Sequence, residues 1–346
     1  MTERLRITSI RFRNYKAFCD YSVSFTDFNV LVGPNNAGKS TVLGALRILS
    51  EGIRRARMKS SDPIDGPKGL QVRAYPVRLE GLPISTENIF YNYDESSPAT
   101  VEFRLSNGNS LAIFFPERGR CYMIPTSQWM IRSPSDFKRY FDVEVAFVPV
   151  LGPVEHNEPV YQKEAARLAL LSHGASRNFR NIWYHFPNGF DEFRRTIQET
   201  SPGMDIQPPE LVPGSEKTHL SMFCPEERFP REIFWAGFGF QVRCQMLTFI
   251  LRAKASTALV IDGPDIYLHS DLQRQLVGLL KELFSELNTY LQQTHKIALS
   301  PIIVVESFLR DEICPEVVAL VHKLDALRKE EVPDQPSVEF PPASPT

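Results

Sequence analysis

An α/β fold is what this 346-residue sequence predicts, and three observations carry the prediction. A short apolar run, Phe28-Asn29-Val30-Leu31-Val32, leads through a glycine-bearing loop into a stretch with helical spacing. A second apolar run, Ala258-Leu259-Val260-Ile261, ends in the carboxylate of Asp262, as a buried parallel strand would. Between them lies a long stretch of alternating apolar and polar residues, which reads as β structure.

In chain order, Leu5–Phe12 and Tyr21–Phe25 alternate well enough for two strands. Phe28–Val32 reads as a short buried strand. The segment 40–49 places Val42, Leu43, Leu46 and Leu49 on one helical face. Gly52–Lys59 reads as a basic helix end, and Ser60–Pro67 as a loop by composition. Residues 70–125 read as β structure. Their clearest piece is the hairpin Thr100–Leu105 and Ser110–Phe115, joined across Asn107-Gly108. Val143–Pro149 reads as another strand. Residues 160–200 carry helical spacing, with Tyr161, Glu164, Ala165, Leu168 and Leu171 on one stripe. Pro202–Pro213 reads as a proline-rich connection. Ser270 and Gln273 form a capping box for a helix to about Leu287.

The chemistry concentrates in Gly33-Pro34-Asn35-Asn36-Ala37-Gly38-Lys39-Ser40-Thr41. Glycines let a backbone wrap a polyphosphate so that successive N–H groups point at it. Lys39 is placed to bridge β and γ oxygens, and Ser40 to put its hydroxyl on Mg²⁺. The helix start behind the loop favours negative charge. A strand before and an amphipathic helix after are the context this motif requires. Asp262 is the matching carboxylate for Mg²⁺, held through water at the end of a neighbouring strand.

The remaining composition sets bounds. Hydrophobic residues make up 42% and charged residues 23%, which suits a chain with a real core. A net charge of −2 gives no global basic field for nucleic acid. Met1–Arg6 lacks the apolar stretch of a secretory signal, and no run approaches a membrane span. Cys19, Cys121, Cys224, Cys244 and Cys314 lie far apart, which predicts reduced thiols in a cytoplasmic protein. The tail 330–346 is acidic and proline-rich and reads as disordered.

Ile7–Phe18, the loop Gly33–Thr41 and the segment Ile261–Gln273 together resemble the ATP-binding heads of ABC-type ATPases. The nearest branch is the RecF/SMC/OLD-like group of prokaryotic AAA-family proteins. The resemblance covers most of residues 1–290. It implies a P-loop NTPase with a mixed sheet flanked by helices, a β-rich insertion and a helical subdomain. It implies one domain over 1–325, comprising a phosphate-loop lobe (1–59), a β-rich insertion (60–150), a helical segment (151–230) and a lobe with the signature and second nucleotide motif (231–325). It further implies ATP and Mg²⁺ as ligands and a homodimer formed on ATP binding. In that dimer, a glycine-rich signature segment of one head caps the γ-phosphate held by the other. Phe234–Gln241 occupies the signature position, with Gly237, Gly239 and Gln241 as its candidate contacts. DNA repair or defence against foreign DNA is the expected setting, with DNA or a partner nuclease as possible associates.

The chain also departs from that pattern. The family places a Glu after the Mg²⁺-binding Asp to position the attacking water, and here that residue is Gly263. Loss of such a group typically costs about 10²–10⁴ in rate. ATP binding is therefore predicted more firmly than ATP turnover. A switch His belongs at the end of the next strand; His295 lies at about the right distance, but Tyr290–Gln293 is polar for a central strand, and Pro301–Glu306 reads better. The familiar pattern weakens after Asn288, which divergence or a disrupted reading frame would each produce. Two basic groups, Arg54/Arg55/Arg57/Lys59 and Arg177/Arg180 with Phe179, Trp183 and Tyr184, suit either nucleic-acid contact or a solvated face over core aromatics.

Overall fold

The computed structural model describes residues 5–26, 29–31, 37–80, 82, 84, 86–169, 175–200, 203–213, 218–226, 229–253, 256–263 and 300–304. Two sheets dominate. Strands β1 (Ile7–Tyr15) and β2 (Phe18–Ser24) form a hairpin, then β3 (Asn29–Leu31) leads towards helix α1 (Lys39–Ala56). Next come β4 (Asp62–Asp65), β5 (Gln71–Pro76), β6 (Ala99–Leu105), β7 (Ser110–Phe115) and β8 (Tyr122–Thr126). Among the described residues these make one antiparallel seven-stranded sheet, ordered β2-β1-β6-β7-β8-β5-β4. The 60–126 region is thus continuous with the N-terminal hairpin, since β6 pairs with β1 in register Phe12↔Val101.

After α2 (Pro134–Tyr140) comes β9 (Val145–Val148), then β10 (Glu158–Pro159), α3 (Lys163–Ala169), α4 (Phe179–His185) and α5 (Phe190–Thr200). Short strands β11 (Glu210–Val212), β12 (His219–Ser221), β13 (Phe223–Glu226) and β14 (Phe229–Glu232) precede α6 (Phe238–Arg252), β15 (Ala258–Asp262) and β16 (Ser300–Val304). The second sheet is parallel, ordered β3-β16-β15-β9. All five residues of β15 are buried, as a strand covered on both faces must be. Ala258 and Val260 join the core that contains α1, whereas Leu259 and Ile261 pack with Phe249 and Ile250 of α6. The parallel sheet therefore lies between α1 and α6, and α1 lies between the two sheets.

Several sequence expectations hold: the hairpin across Asn107-Gly108, with Gly108 at φ 82°, and strands at 145–148 and 29–31. The architecture continues past Asn288, because β16 pairs with both β15 and β3. Three expectations need correction. Ser60–Pro67 contains β4, where Pro63 is accommodated because the strand is at the sheet edge and needs no second partner. Pro202–Pro213 contains β11. The helical stripe starts later than predicted: α3 begins at Lys163, and the Tyr161 N–H instead donates to Asn181 Oδ1 while its carbonyl lies 2.6 Å from His185 Nε2; Leu171 lies outside the described residues. Cys19, Cys121, Cys224 and Cys244 are free thiols, as expected, and burial pushes Cys224 up to about 12.

Helix α1 meets β8 so closely that Gly52 has no room for a side chain: a Cβ there would stand 2.8 Å from Met123 Sδ and 3.1 Å from Met123 Cβ. Gly→Ala inside a helix ordinarily stabilises by about 1 kcal/mol. At Gly52 the overpacking term of about 1–3 kcal/mol should reverse that sign. Denaturant unfolding is expected to show Gly52→Ala with a lower midpoint, and a smaller further loss when it is introduced into a Met123→Ala background. A raised midpoint for the single variant would show the contact to be slack.

Candidate nucleotide site

The site forms where β3 and β15 end on the same side of their parallel sheet. Gly33, Pro34, Asn35 and Asn36 lie outside the described residues. The described part of the loop begins at Ala37 and Gly38. Gly38 is the residue before α1 and takes φ 89°, ψ 9°, a left-handed conformation that favours glycine. Its carbonyl accepts from the Thr41 and Val42 N–H groups at 3.0 and 3.1 Å, starting the helix. A Cβ on Gly38 would overlap the Phe18 ring, with Cε1 at 2.8 Å. Phe18 is itself held by Phe12 and Tyr21, with ring centroids 4.9 and 4.7 Å away. The β1–β2 hairpin thus backs the phosphate loop directly. Lys39 is half-buried, Ser40 exposed and Thr41 buried.

Asp262 ends β15 on the face that carries Ala258 and Val260, towards α1. Its Oδ2 accepts from Arg47 Nη2 at 2.7 Å, an ion pair in which the side chains are 4% and 8% exposed. Its Oδ1 is buried with no hydrogen-bond partner. An orphaned carboxylate oxygen is costly unless something fills it, so Asp262 fits the role of accepting from a metal-bound water. Among the described residues no group of three His, Cys, Asp or Glu side chains could hold a metal. Mg²⁺ at this place would accordingly depend on Asp262, Ser40 and the phosphates themselves, which is usual for that ion. Gly263, where a water-positioning Glu was expected, takes φ 50°, again left-handed.

The signature segment runs through a single 3₁₀ turn, Ile233–Trp235, and then into α6 with Gly237 before its first residue. A Cβ on Gly237 or Gly239 would meet nothing within 4 Å, so both glycines front open space. Gln241 points the other way. It is 5% exposed; its Oε1 accepts from Val154 N–H, and its Nε2 donates to the Phe234 and Ala236 carbonyls. Its amide holds the turn that presents the glycines. Behind that turn lies a network absent from the sequence expectations. Arg180, fully buried, donates to Glu232 Oε1 at 2.8 and 2.6 Å and pairs with Glu158 at 3.2 Å. Glu232 also accepts from Phe234 N–H and fixes the start of the 3₁₀ turn. The Glu158 carboxyl is raised by burial, opposed by the Arg180 and Asn181 N–H groups that bond it.

His295 lies outside the described residues. The strand lying between β3 and β15 is β16, which the chain enters five residues later at Ser300. The basic groups turn out to be largely paired: Arg54 with Glu51 at 2.5 Å, and Arg57 with Glu144 at 2.7 Å and Asp142 at 3.5 Å. Phe179 and Trp183 are core aromatics, and Arg180 is interior, so a solvated face holds only for Arg177 and Tyr184. Arg47 escaped sequence reasoning because nothing local links it to a residue 215 positions away.

A parallel sheet with a glycine-led helix after one strand, a carboxylate at the end of another, and a third strand between them has the fold of ABC/AAA-type ATPase heads. Residues 28–292 match the family described as "AAA domain, putative AbiEii toxin, Type IV TA system", and the chain belongs to it. No curated protein sequence matches. Among solved structures, the chain is similar to an SmcHead bound to the C-winged helix domain of ScpA, at 14% identity, 89% of this chain, 91% of that one and TM-score 0.40. It is also similar to the recombination mediator protein RecF with ATP, at 10% identity, 89% and 95% coverage and TM-score 0.45. Among the described residues no helix is long and apolar enough to cross a membrane.

Gly38→Ala combines a left-handed backbone, worth about 1–2 kcal/mol for an L-residue, with displacement of the Phe18 ring. Thermal unfolding should show a clearly lowered midpoint, and Gly239→Ala, in open space within a helix, a midpoint unchanged or slightly raised. Equal effects at the two glycines would refute the distinction.

Proposed function

We propose that this chain binds Mg·ATP as an ABC-type head, that two heads close around the nucleotide, and that the closed dimer acts in DNA repair or in defence against foreign DNA. The observation that carries the reading is the parallel sheet itself, which brings the start of α1 and Asp262 to one end with β16 between their strands. Lys39 would neutralise β and γ oxygens, Ser40 and Asp262 would hold the Mg²⁺ that offsets phosphate charge, and Gly33–Thr41 would supply backbone N–H groups. Gly237 and Gly239 support capping by a second head, because an α-helix start with open space in front can approach a phosphate. The family description's reference to a toxin of a toxin–antitoxin system supports the defence setting over repair.

A second reading is favoured by Gly263. At φ 50° the residue after Asp262 offers no carboxylate to position water. ATP would then serve as an assembly signal, and the head would recruit or restrain a partner such as a nuclease while turning over slowly.

Binding and dimerisation test what the two readings share, and turnover separates them. Lys39→Ala should weaken nucleotide binding by roughly 10²-fold or more, the scale for removing one partner of a buried charge pair, by titration calorimetry. Gly239→Glu should bind nucleotide as the parent does yet fail to dimerise, because its added carboxylate faces the incoming phosphate. A parent that stays monomeric in saturating Mg·ATP, by light scattering, rules out the two-head arrangement. For turnover, rates roughly 10²–10⁴ below those of a base-assisted ATPase are expected. Gly263→Glu should raise them despite its strained backbone, and a folded variant no faster than the parent removes the missing carboxylate as the explanation.

A further inference from the structure

We infer that Arg47 is a built-in counter-ion for Asp262, a positioning residue that holds one oxygen of the carboxylate and sets how much Mg²⁺ the site requires. This rests on the reading of Asp262 as the Mg²⁺ carboxylate. Arg47 lies on α1 seven residues after Ser40, about 10 Å down the helix axis. Side chains of a helix tilt towards its N-terminus, so the guanidinium reaches back towards the phosphate end, where it meets Asp262 at 2.7 Å. Both groups are almost fully buried, and the pairing is incomplete. Arg47 Nε and Asp262 Oδ1 each lack a hydrogen-bond partner, and the guanidinium lies over the Phe147 ring at 5.9 Å.

Two consequences follow from the electrostatics. A carboxylate in a poorly solvated place needs a positive partner, and without one it destabilises the fold strongly. Arg47 supplies that partner before any ligand arrives. The same cation also lowers the negative potential that Mg²⁺ would find, since the two positive charges share one carboxylate. Oδ2 is held by Arg47 and Oδ1 stays open, so the carboxylate is oriented with one oxygen available to a metal-bound water. Arg47 thereby stabilises the buried carboxylate and makes cation entry depend on the nucleotide phosphates that come with it.

The test compares the parent, Arg47→Met, Arg47→Lys and Arg47→Met/Asp262→Asn in EDTA, in Mg²⁺ alone and in Mg²⁺ with ATP. In EDTA, Arg47→Met is expected to melt well below the parent, and the double variant to recover much of the loss. Mg²⁺ alone should raise the melting temperature of Arg47→Met, but not that of the parent or of the double variant. The Mg²⁺ concentration for half-maximal ATP binding should fall roughly tenfold in Arg47→Met, given one fewer cation beside the site, and stay near the parent value in Arg47→Lys. If Arg47→Met is unfolded in EDTA, refolding with Mg²⁺ should restore it. The inference is overturned if Mg²⁺ fails to stabilise or restore Arg47→Met, if it acts equally on the double variant, or if the Mg²⁺ midpoints of parent and Arg47→Met coincide. A parent that binds no ATP would remove the nucleotide reading, while the Mg²⁺-alone arm would still decide the role of Arg47.

Discussion

The first half of helix α1, Thr41 to Leu49, is buried on every side, and the rest of the molecule is arranged by what that burial demands. Beyond that unbroken stretch, Gly52, Ile53 and Ala56 continue the buried face while Arg54 reaches solvent. One side packs on the antiparallel sheet, where Gly52 meets Met123. Another packs on the parallel sheet, where Ser50 Oγ lies 3.2 Å from the Val145 carbonyl. A helical stretch buried all round needs cover all round, so the seven-stranded sheet acts as a second wall beside the parallel sheet. That wall reaches the chemistry through Phe18, whose ring stands against Gly38 at the mouth of the phosphate loop. The start of α1 is therefore held from both sheets at once.

Burial on this scale constrains charge. Two ionic arrangements persist inside the described structure, and they differ in how completely they are satisfied. Around Arg180, the donors of the guanidinium meet Glu232, Glu158 and the Glu155 carbonyl, and Glu158 also collects the N–H groups of Arg180 and Asn181. A network with its bonds made stiffens what it touches, and what it touches is the turn leading into α6. The Arg47–Asp262 pair makes one hydrogen bond and leaves an atom unpaired on each side. A fully bonded network suits a scaffold, whereas an underused carboxylate suits a group whose partners change.

Most of the architecture was legible because it rests on local patterns. The Asn107-Gly108 hairpin, the strand ending at Asp262 and the helix behind Gly38 each follow from periodicity and turn chemistry within a dozen residues. Prolines misled in two places: Pro63 and the stretch before Pro213 resemble loops, but an edge strand can hold a residue with no N–H to give. Interior charge was illegible for a different reason. Composition assigns Arg180 to the surface, and only the acidic residues at 158 and 232, brought together by strands far apart in sequence, make its burial tolerable. The Gln241 side chain likewise looked available for a ligand until its turn folded back over it.

On the proposed reading, Gly263 and Arg47 would act on two neighbouring steps of a nucleotide cycle, and in the same direction. An L-residue with a side chain would be strained at φ 50°, so the backbone after Asp262 is shaped for glycine and against the carboxylate that would position water. Arg47 already holds the carboxylate that remains. The first feature would slow departure from an ATP-bound state by weakening chemistry; the second satisfies one oxygen of Asp262 from within the chain. A head stabilised at both ends of its cycle dwells in each, and a protein that dwells is better suited to signalling by occupancy than to continuous turnover. The physical basis is one strand end, Ile261-Asp262-Gly263, where a buried charge and a left-handed glycine sit side by side against the helix that carries the phosphate loop.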